Sequence, residues 1–91
     1  MTDVIVTLRI MPEDDTVNLL SLKTAIQEKI EAFAARTASM KEEPVAFGLK
    51  ALIVTLTYNE KKGSSEPLEE DIKTIAGVGN VDVIDVRRAF G

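Results

Sequence analysis

Apolar and polar residues alternate along the first segment of the chain, residues 3–11, which read DVIVTLRIM. Every second residue is apolar, as expected for a strand that buries one face. From residue 19 the period lengthens to three or four, which places the apolar residues on one face of a helix over residues 19–36. These residues are Leu19, Leu22, Ile26, Ile30 and Phe33. The pattern predicts a strand and then a helix, with Asn18 as the N-cap of the helix.

The second half of the chain is predicted to contain further strands and one more helix. Residues 45–58 have the composition of a strand that is interrupted at Gly48, and strand glycines often mark a bend or bulge. The polar segment TASMKEE, residues 37–43, is expected to end the first helix. A second helix is predicted from Pro67 to about Ile75, and a last strand over residues 81–87. Its alternation slips at Val83–Ile84, which indicates a bulge or two buried faces.

The predicted order of elements is β-α-β-β-α-β, which is typical of one α+β architecture. This is the ferredoxin-like split βαβ plait, a four-stranded antiparallel sheet with two helices on one face. A chain of 91 residues suits one domain with a single core, so we expect residues 1–91 to form a single domain. The fold alone does not name a function.

Composition excludes several classes of function. Acidic residues outnumber basic ones 15 to 11, and this net charge of −4 opposes direct binding of nucleic acid. The chain has no cysteine and no histidine, which excludes zinc sites built from these residues. The acidic clusters PEDD (residues 12–15) and EED (residues 69–71) lack the alternating oxygens and turn glycine of a calcium site, so we expect no metal site and no cofactor. The N-terminal MTDVIVTLRIM has no basic flank or small-residue cleavage site, and no segment is apolar enough for a membrane span. We therefore expect a cytoplasmic protein that binds no membrane.

Two segments remain as candidates for function, VAFGLKAL and DVRRAF. Phe47 has two open interpretations, a core aromatic or a binding anchor, and Lys50 is most simply a solvated charge. Arg87 and Arg88 face opposite sides of a strand, so at most one of them points toward a given partner. Asp82 and Asp85 are expected to point to opposite faces, which makes them a poor acid/base pair.

These two segments resemble the family of archaeal elongation factor 1-beta, and the resemblance spans nearly the whole chain. Eukaryotic exchange domains of the family read Pro-Val-Gly-Phe-Gly-Ile-Lys-Lys-Leu where this chain has Pro44 to Leu52. Phe47, Gly48 and Lys50 match that motif at the same spacing. The ends of the chain also match, through DVIVTLRIMPE and LEEDIKTIAGVGNVDVIDVRR.

The resemblance implies a guanine nucleotide exchange factor with no covalent chemistry of its own. The family's partner is the GTPase elongation factor 1-alpha, and a basic side chain from the C-terminal tip disturbs its magnesium and phosphate region. Aligning the family's next-to-last lysine on this chain gives Arg88, with Arg87 as the alternative. Phe47 matches the phenylalanine that the family uses against the GTPase.

Two other functions stay open on the sequence. A ferredoxin-like RNA-binding module would need aromatic side chains on the exposed sheet face, for which Tyr58 is the main candidate. A small regulatory domain that dimerises through a sheet edge is the other alternative.

Overall fold

The computed structural model describes residues 2–90, and their side chains as far as residue 88. Two helices and four strands follow in the order β-α-β-β-α-β, as predicted. Their bounds are β1 Thr2–Pro12, α1 Leu19–Ala32, β2 Arg36–Pro44, β3 Lys50–Asn59, α2 Glu66–Lys73 and β4 Val78–Phe90. Within residues 2–90, neither helix has the length and apolar character needed to cross a membrane.

The four strands form one antiparallel sheet in the order β2-β3-β1-β4. β1 and β3 lie in the middle, and β2 and β4 are the two edges. The helices lie on one face of this sheet, which confirms the ferredoxin-like plait. The connections place the β2–β3 hairpin and the start of α1 at one end of the sheet, and the end of β4 at the other.

The core lies between the helices and one face of the sheet. Alternate residues of the two central strands point into the core, and the apolar faces of both helices pack against them from the other side. The side chains that are 2% exposed or less include Val6, Leu8, Ile10, Leu22, Ile26, Ile30, Leu52, Val54, Leu56, Leu68 and Ile72. Asn18 caps α1 as predicted, because its side-chain oxygen accepts from the Ser21 backbone N–H at 3.1 Å.

The first helix ends earlier than the sequence predicts. Ala34 adopts a left-handed conformation with φ 61°, the Ala35 N–H donates to the Ile30 carbonyl, and the Ala34 N–H donates to the Glu31 carbonyl. These two bonds are the Schellman pattern that ends many helices, usually with glycine at the left-handed position. The polar segment expected to be a helix end, residues 37–43, is instead most of strand β2.

The last strand contains a bulge, one of the two alternatives that the sequence left open at Val83–Ile84. Thr7 pairs with Asp85 and Leu8 pairs with Val83, so Ile84 is an extra residue in β4. The bulge overturns one expectation about the acidic residues. Asp82 pairs with Arg9 and Asp85 with Thr7, which both lie on the face of the sheet away from the helices. The two carboxylates therefore share a face, although they are three residues apart.

Candidate functional site

The connection between β2 and β3 is a tight turn, which we call the hairpin tip (residues 45–49). The Val45 N–H donates to the Leu49 carbonyl at 2.8 Å, and the Leu49 N–H donates to the Ala46 carbonyl at 3.3 Å. Both central residues have positive φ, 62° at Phe47 and 76° at Gly48. This is the sign pattern of a type I′ hairpin turn, whose twist matches that of the strands. The sequence predicted strand for residues 45–47, but these residues form part of the turn.

Phe47 lies at the apex of the hairpin tip and is 94% exposed. This answers the question that the sequence left open, because the side chain contributes nothing to the core. A bulky residue in the left-handed region costs about 1–2 kcal/mol relative to the right-handed one. Strain of this kind combined with full exposure of an aromatic ring is a reason to suspect function.

Gly48 is required by the backbone and not by crowding. A Cβ atom placed on it would have nothing within 4 Å, whereas its φ of 76° disfavours residues with a side chain. Gly48 therefore permits the turn that projects Phe47 from the end of the sheet.

Lys50, the first residue of β3, points along the helix side of the sheet. Its ammonium lies 3.7 Å from a carboxylate oxygen of Glu42, and the Lys23 ammonium lies 2.8 Å from the other oxygen. The hydrogen bond and charge of Lys23 lower the pKa of Glu42, and Lys50 adds to this effect. Glu42 is thus bound mainly by Lys23, and Lys50 remains largely solvated at the edge of the tip.

A shallow cleft of about 180 Å³ lies beside the tip, between Gly48–Lys50 and the loop that leads from β1 to α1. Asp14 and Asp15 line the loop side of the cleft. The hydroxyl and backbone N–H of Thr16 donate to Asp14, and these bonds lower the pKa of its carboxyl group. The tip therefore presents an exposed apolar ring beside an acidic flank.

The sequence did not single out Leu20, which is exposed at the same end of the sheet. Leu20 follows Leu19, a residue that lines the cleft beside Gly48. The helical period carries the signal that could have found it, because Leu20 falls outside the buried stripe formed by Leu22, Ile26 and Ile30.

Arg87 and Arg88 lie near the end of β4 and point to opposite faces, as predicted. Arg88 pairs with Val4, whose side chain faces the helices, and Arg87 pairs with Ile5 on the other face. The Arg87 Nε lies 2.8 Å from a carboxylate oxygen of Asp85, while Arg88 Nη1 lies 3.8 Å from a carboxylate oxygen of Glu60. Both arginines are well exposed.

The structure divides the predicted site residues into two groups at opposite ends of the sheet. Val4 pairs with both Tyr58 and Arg88, so Arg88 lies level with Tyr58, eight residues along β3 from Lys50. At about 3.3 Å per residue, this separation is roughly 26 Å. Phe47, Gly48 and Lys50 therefore share one end, and the two arginines share the other.

Tyr58, the main candidate for an aromatic on an RNA-binding face, is buried on the helix side. Its hydroxyl donates to the Gly63 carbonyl at 2.8 Å, and its ring packs edge-on against Phe33 with centroids 5.5 Å apart. Burial raises the pKa of the Tyr58 phenol, and the nearby charge of Glu69 adds to the shift. Among the described side chains, no aromatic lies on the exposed face of the sheet. The described residues also contain no group of three or more His, Cys, Asp or Glu side chains that could hold a metal ion.

Solved structures share the fold at low sequence identity. The ACT domain from the GTP pyrophosphokinase of Chlorobium tepidum matches with a TM-score of 0.63 and 19% identity, over 90% of this chain and 99% of that one. A de novo designed protein, Foldit4, matches with a TM-score of 0.60 and 18% identity, over 98% of both chains. These likenesses establish the architecture alone.

Curated relatives are much closer in sequence. Elongation factor 1-beta of Methanosarcina barkeri is 48% identical over 88 residues, which cover 97% of this chain and 99% of that protein. Elongation factor 1-beta of Methanothermobacter thermautotrophicus is 43% identical, with 97% and 98% covered. The family model of the EF-1 guanine nucleotide exchange domain matches residues 5–89. The chain therefore belongs to the elongation factor 1-beta family.

Proposed function

We propose that the protein promotes exchange of GDP for GTP on the GTPase elongation factor 1-alpha. The observation that supports this most strongly is the family match over residues 5–89, together with the exposure of Phe47 at the hairpin tip. A family resemblance names the activity, and a fully exposed aromatic ring in a strained turn supplies a physical means of docking.

Phe47 is the docking anchor in this proposal. Binding buries an apolar ring that folding leaves in water, and aromatic residues of this kind dominate the energetics of many interfaces. The turn already holds the ring away from the sheet, so little conformational entropy is lost when it enters a pocket. Gly48 and Lys50 support the anchor, the first through the turn and the second through its charge at the base.

Arg88 acts on the nucleotide site of the GTPase, with Arg87 as the alternative. A guanidinium beside the phosphates and their magnesium ion competes with that ion for the same anionic surroundings. The magnesium belongs to the partner, and no bond is made or broken by the exchange factor. The exchange protein binds the nucleotide-free GTPase more tightly than the nucleotide-bound form. Linkage requires that it lower the affinity of the GTPase for nucleotide by the same ratio.

The separation of the two groups favours a particular mode of docking. The molecule measures 42 Å along its longest axis and only 21 and 18 Å along the others. Lys50 and Arg88 lie roughly 26 Å apart along the strands, and Phe47 projects beyond Lys50 at the apex of the tip. The proposal is therefore that the domain lies lengthwise on the GTPase, anchored at one end and acting on the nucleotide site at the other.

The release of fluorescent GDP from archaeal elongation factor 1-alpha tests this function. The GTPase is loaded with labelled GDP, and excess unlabelled nucleotide is added with and without this protein. We expect faster release that saturates as the concentration of the protein rises. Release that is no faster at a stoichiometric concentration would show that the proposed function is wrong.

A further inference from the structure

The bulge in β4 sorts the side chains of this strand into two chemically different faces. Val83 pairs with Leu8, Val86 with Val6, and Arg88 with Val4, so all three lie on the helix side of the sheet. Without the extra residue Ile84, Val83 and Val86 would point to opposite faces. We call Val83, Val86 and Arg88 the β4 strip.

The β4 strip is left uncovered by the helices. Val81, on the same face, is buried, whereas Val83 is 39% exposed and Val86 is 59% exposed. Their partners Leu8 and Val6 on β1 are almost completely buried. Five large apolar residues are exposed among the described side chains. Three of these five lie within four residues of each other on β4, namely Val83, Ile84 and Val86. Such a concentration is more informative than single exposed apolar residues.

The opposite face of the same strand is acidic. Asp82 and Asp85 share that face with Arg87, and Asp85 binds Arg87 at 2.8 Å. The charge of Arg87 is therefore compensated within its own strand. Arg88 instead ends an apolar strip, and its ion pair with Glu60 is longer, at 3.8 Å. Apolar contacts around a cation exclude water and strengthen its interaction with anions.

We propose that the β4 strip is a docking surface for the GTPase, in which Val83 and Val86 pack against the partner and hold Arg88 at the nucleotide site. This inference rests on the proposed function and selects Arg88 over Arg87 as the acting cation. The two valines of the strip lead directly to Arg88. The surface on the GTPase that would fit them is an apolar patch bordering the anionic phosphate and magnesium site.

A second copy of this chain is a poorer fit to the same strand. Strands that pair edge to edge need a flat, regular edge, and bulges and charged side chains oppose such pairing. β4 has a bulge at Ile84 and charges at Asp82, Asp85, Arg87 and Arg88. Two exposed valines are also too small a surface for a stable homodimer.

The test compares Val86→Ser with Asp82→Ser, a matched change on the opposite face of the same strand. Val86 is more than half exposed, so Val86→Ser is expected to fold normally, which thermal melts will check. We expect Val86→Ser to require about five- to tenfold more protein for half-maximal GDP release, and Val83→Ser/Val86→Ser to require roughly 30-fold more. Asp82→Ser should behave as the wild-type protein does.

Binding to the nucleotide-free GTPase, measured by calorimetry, separates failure of the strip from failure of the proposed function. If the wild-type protein binds or accelerates release and Val86→Ser is indistinguishable from it, the strip is not a docking surface although the function stands. If the wild-type protein does neither, both ideas are wrong. Sedimentation adds a further outcome, since a dimer that Val86→Ser converts to a monomer without any change in release would assign the strip to self-association and overturn the inference.

Discussion

The two ends of the sheet differ in how each one presents its candidate functional side chain. The hairpin tip places Phe47 on a strained two-residue turn, where the ring is almost fully exposed and has an acidic flank. The far end places Arg88 on a bulged edge strand, at the end of a partly exposed apolar strip. The comparison suggests that Phe47 at the tip provides affinity. At the strand end the two valines of the β4 strip add to this affinity, and Arg88 provides the effect on nucleotide release.

The largest expected effect is that of Phe47→Ala on affinity. Loss of an aromatic anchor commonly costs about 2 kcal/mol or more, so half-maximal GDP release should require roughly 30-fold more protein. The plateau rate should be unchanged, because the arginine end is intact. The free energy of unfolding should change by less than about 1 kcal/mol, since the side chain is 94% exposed. A loss of about 3–5 kcal/mol in urea denaturation would instead indicate a core residue.

Arg88→Ala should show the opposite kinetic behaviour. We expect the plateau rate of GDP release to fall about tenfold, which corresponds to 1.4 kcal/mol, because the interaction is made only as the nucleotide leaves. Arg88→Lys should restore part of the rate, since lysine keeps the charge but loses the planar geometry.

Arg87→Ala is the matched comparison for Arg88, as the two are adjacent and face opposite sides. Its expected plateau rate is near that of the wild-type protein, because Asp85 already compensates the charge of Arg87 at 2.8 Å. A large loss with Arg87→Ala and none with Arg88→Ala would assign the role to the other face of β4.

Gly48→Ala should weaken the turn without altering any contact of the core. The added methyl group has open space around it, but the φ of 76° is unfavourable for alanine, so we expect a loss of about 1 kcal/mol in stability. Asparagine tolerates this conformation better, and Gly48→Asn should lose less. Denaturant midpoints measure both, and equal midpoints for Gly48→Ala and the wild-type protein would mean that the turn carries no such strain.

The smallest expected effect concerns the pH dependence of stability through Glu42. Lys23 lowers the pKa of this carboxyl group in the folded state, so its contribution to stability is present at neutral pH and disappears as the pH falls through and below 4.5, the ordinary value. Glu42→Gln should therefore be slightly less stable than the wild-type protein at pH 7, and this difference should shrink steadily as the pH falls below 4.5. A difference that does not shrink on acidification would show that Glu42 acts by something other than its charge.

The order of elements was predictable because the two central strands and both helices bury one side strongly. The position of β2 was not predictable, because β2 is an edge strand whose sequence RTASMKEEP has little apolar alternation. The end of α1 was missed for a related reason. The left-handed position that ends it is occupied by Ala34, and the usual glycine signal is absent.

The candidate site was identified by resemblance more than by chemistry. An isolated phenylalanine is read as core by default, and only the turn geometry shows that Phe47 faces solvent. The slip at Val83–Ile84 indicated a bulge or two buried faces, but the sequence could not show which later residues a bulge would place on one face. The separation of Phe47 from the arginines follows from the pairing of β3 with β1 and of β1 with β4, which is a property of the folded chain.

The central claim is that one molecule contacts the GTPase at both ends, and a mixing experiment tests it most directly. GDP release is measured at a fixed, subsaturating concentration with Phe47→Ala alone, Arg88→Ala alone, and an equimolar mixture of the two. If both contacts must lie on the same molecule, the mixture will give no more than the sum of the separate rates. Release from the mixture that recovers the wild-type rate would contradict the claim, because it would mean that the two ends can act from different molecules.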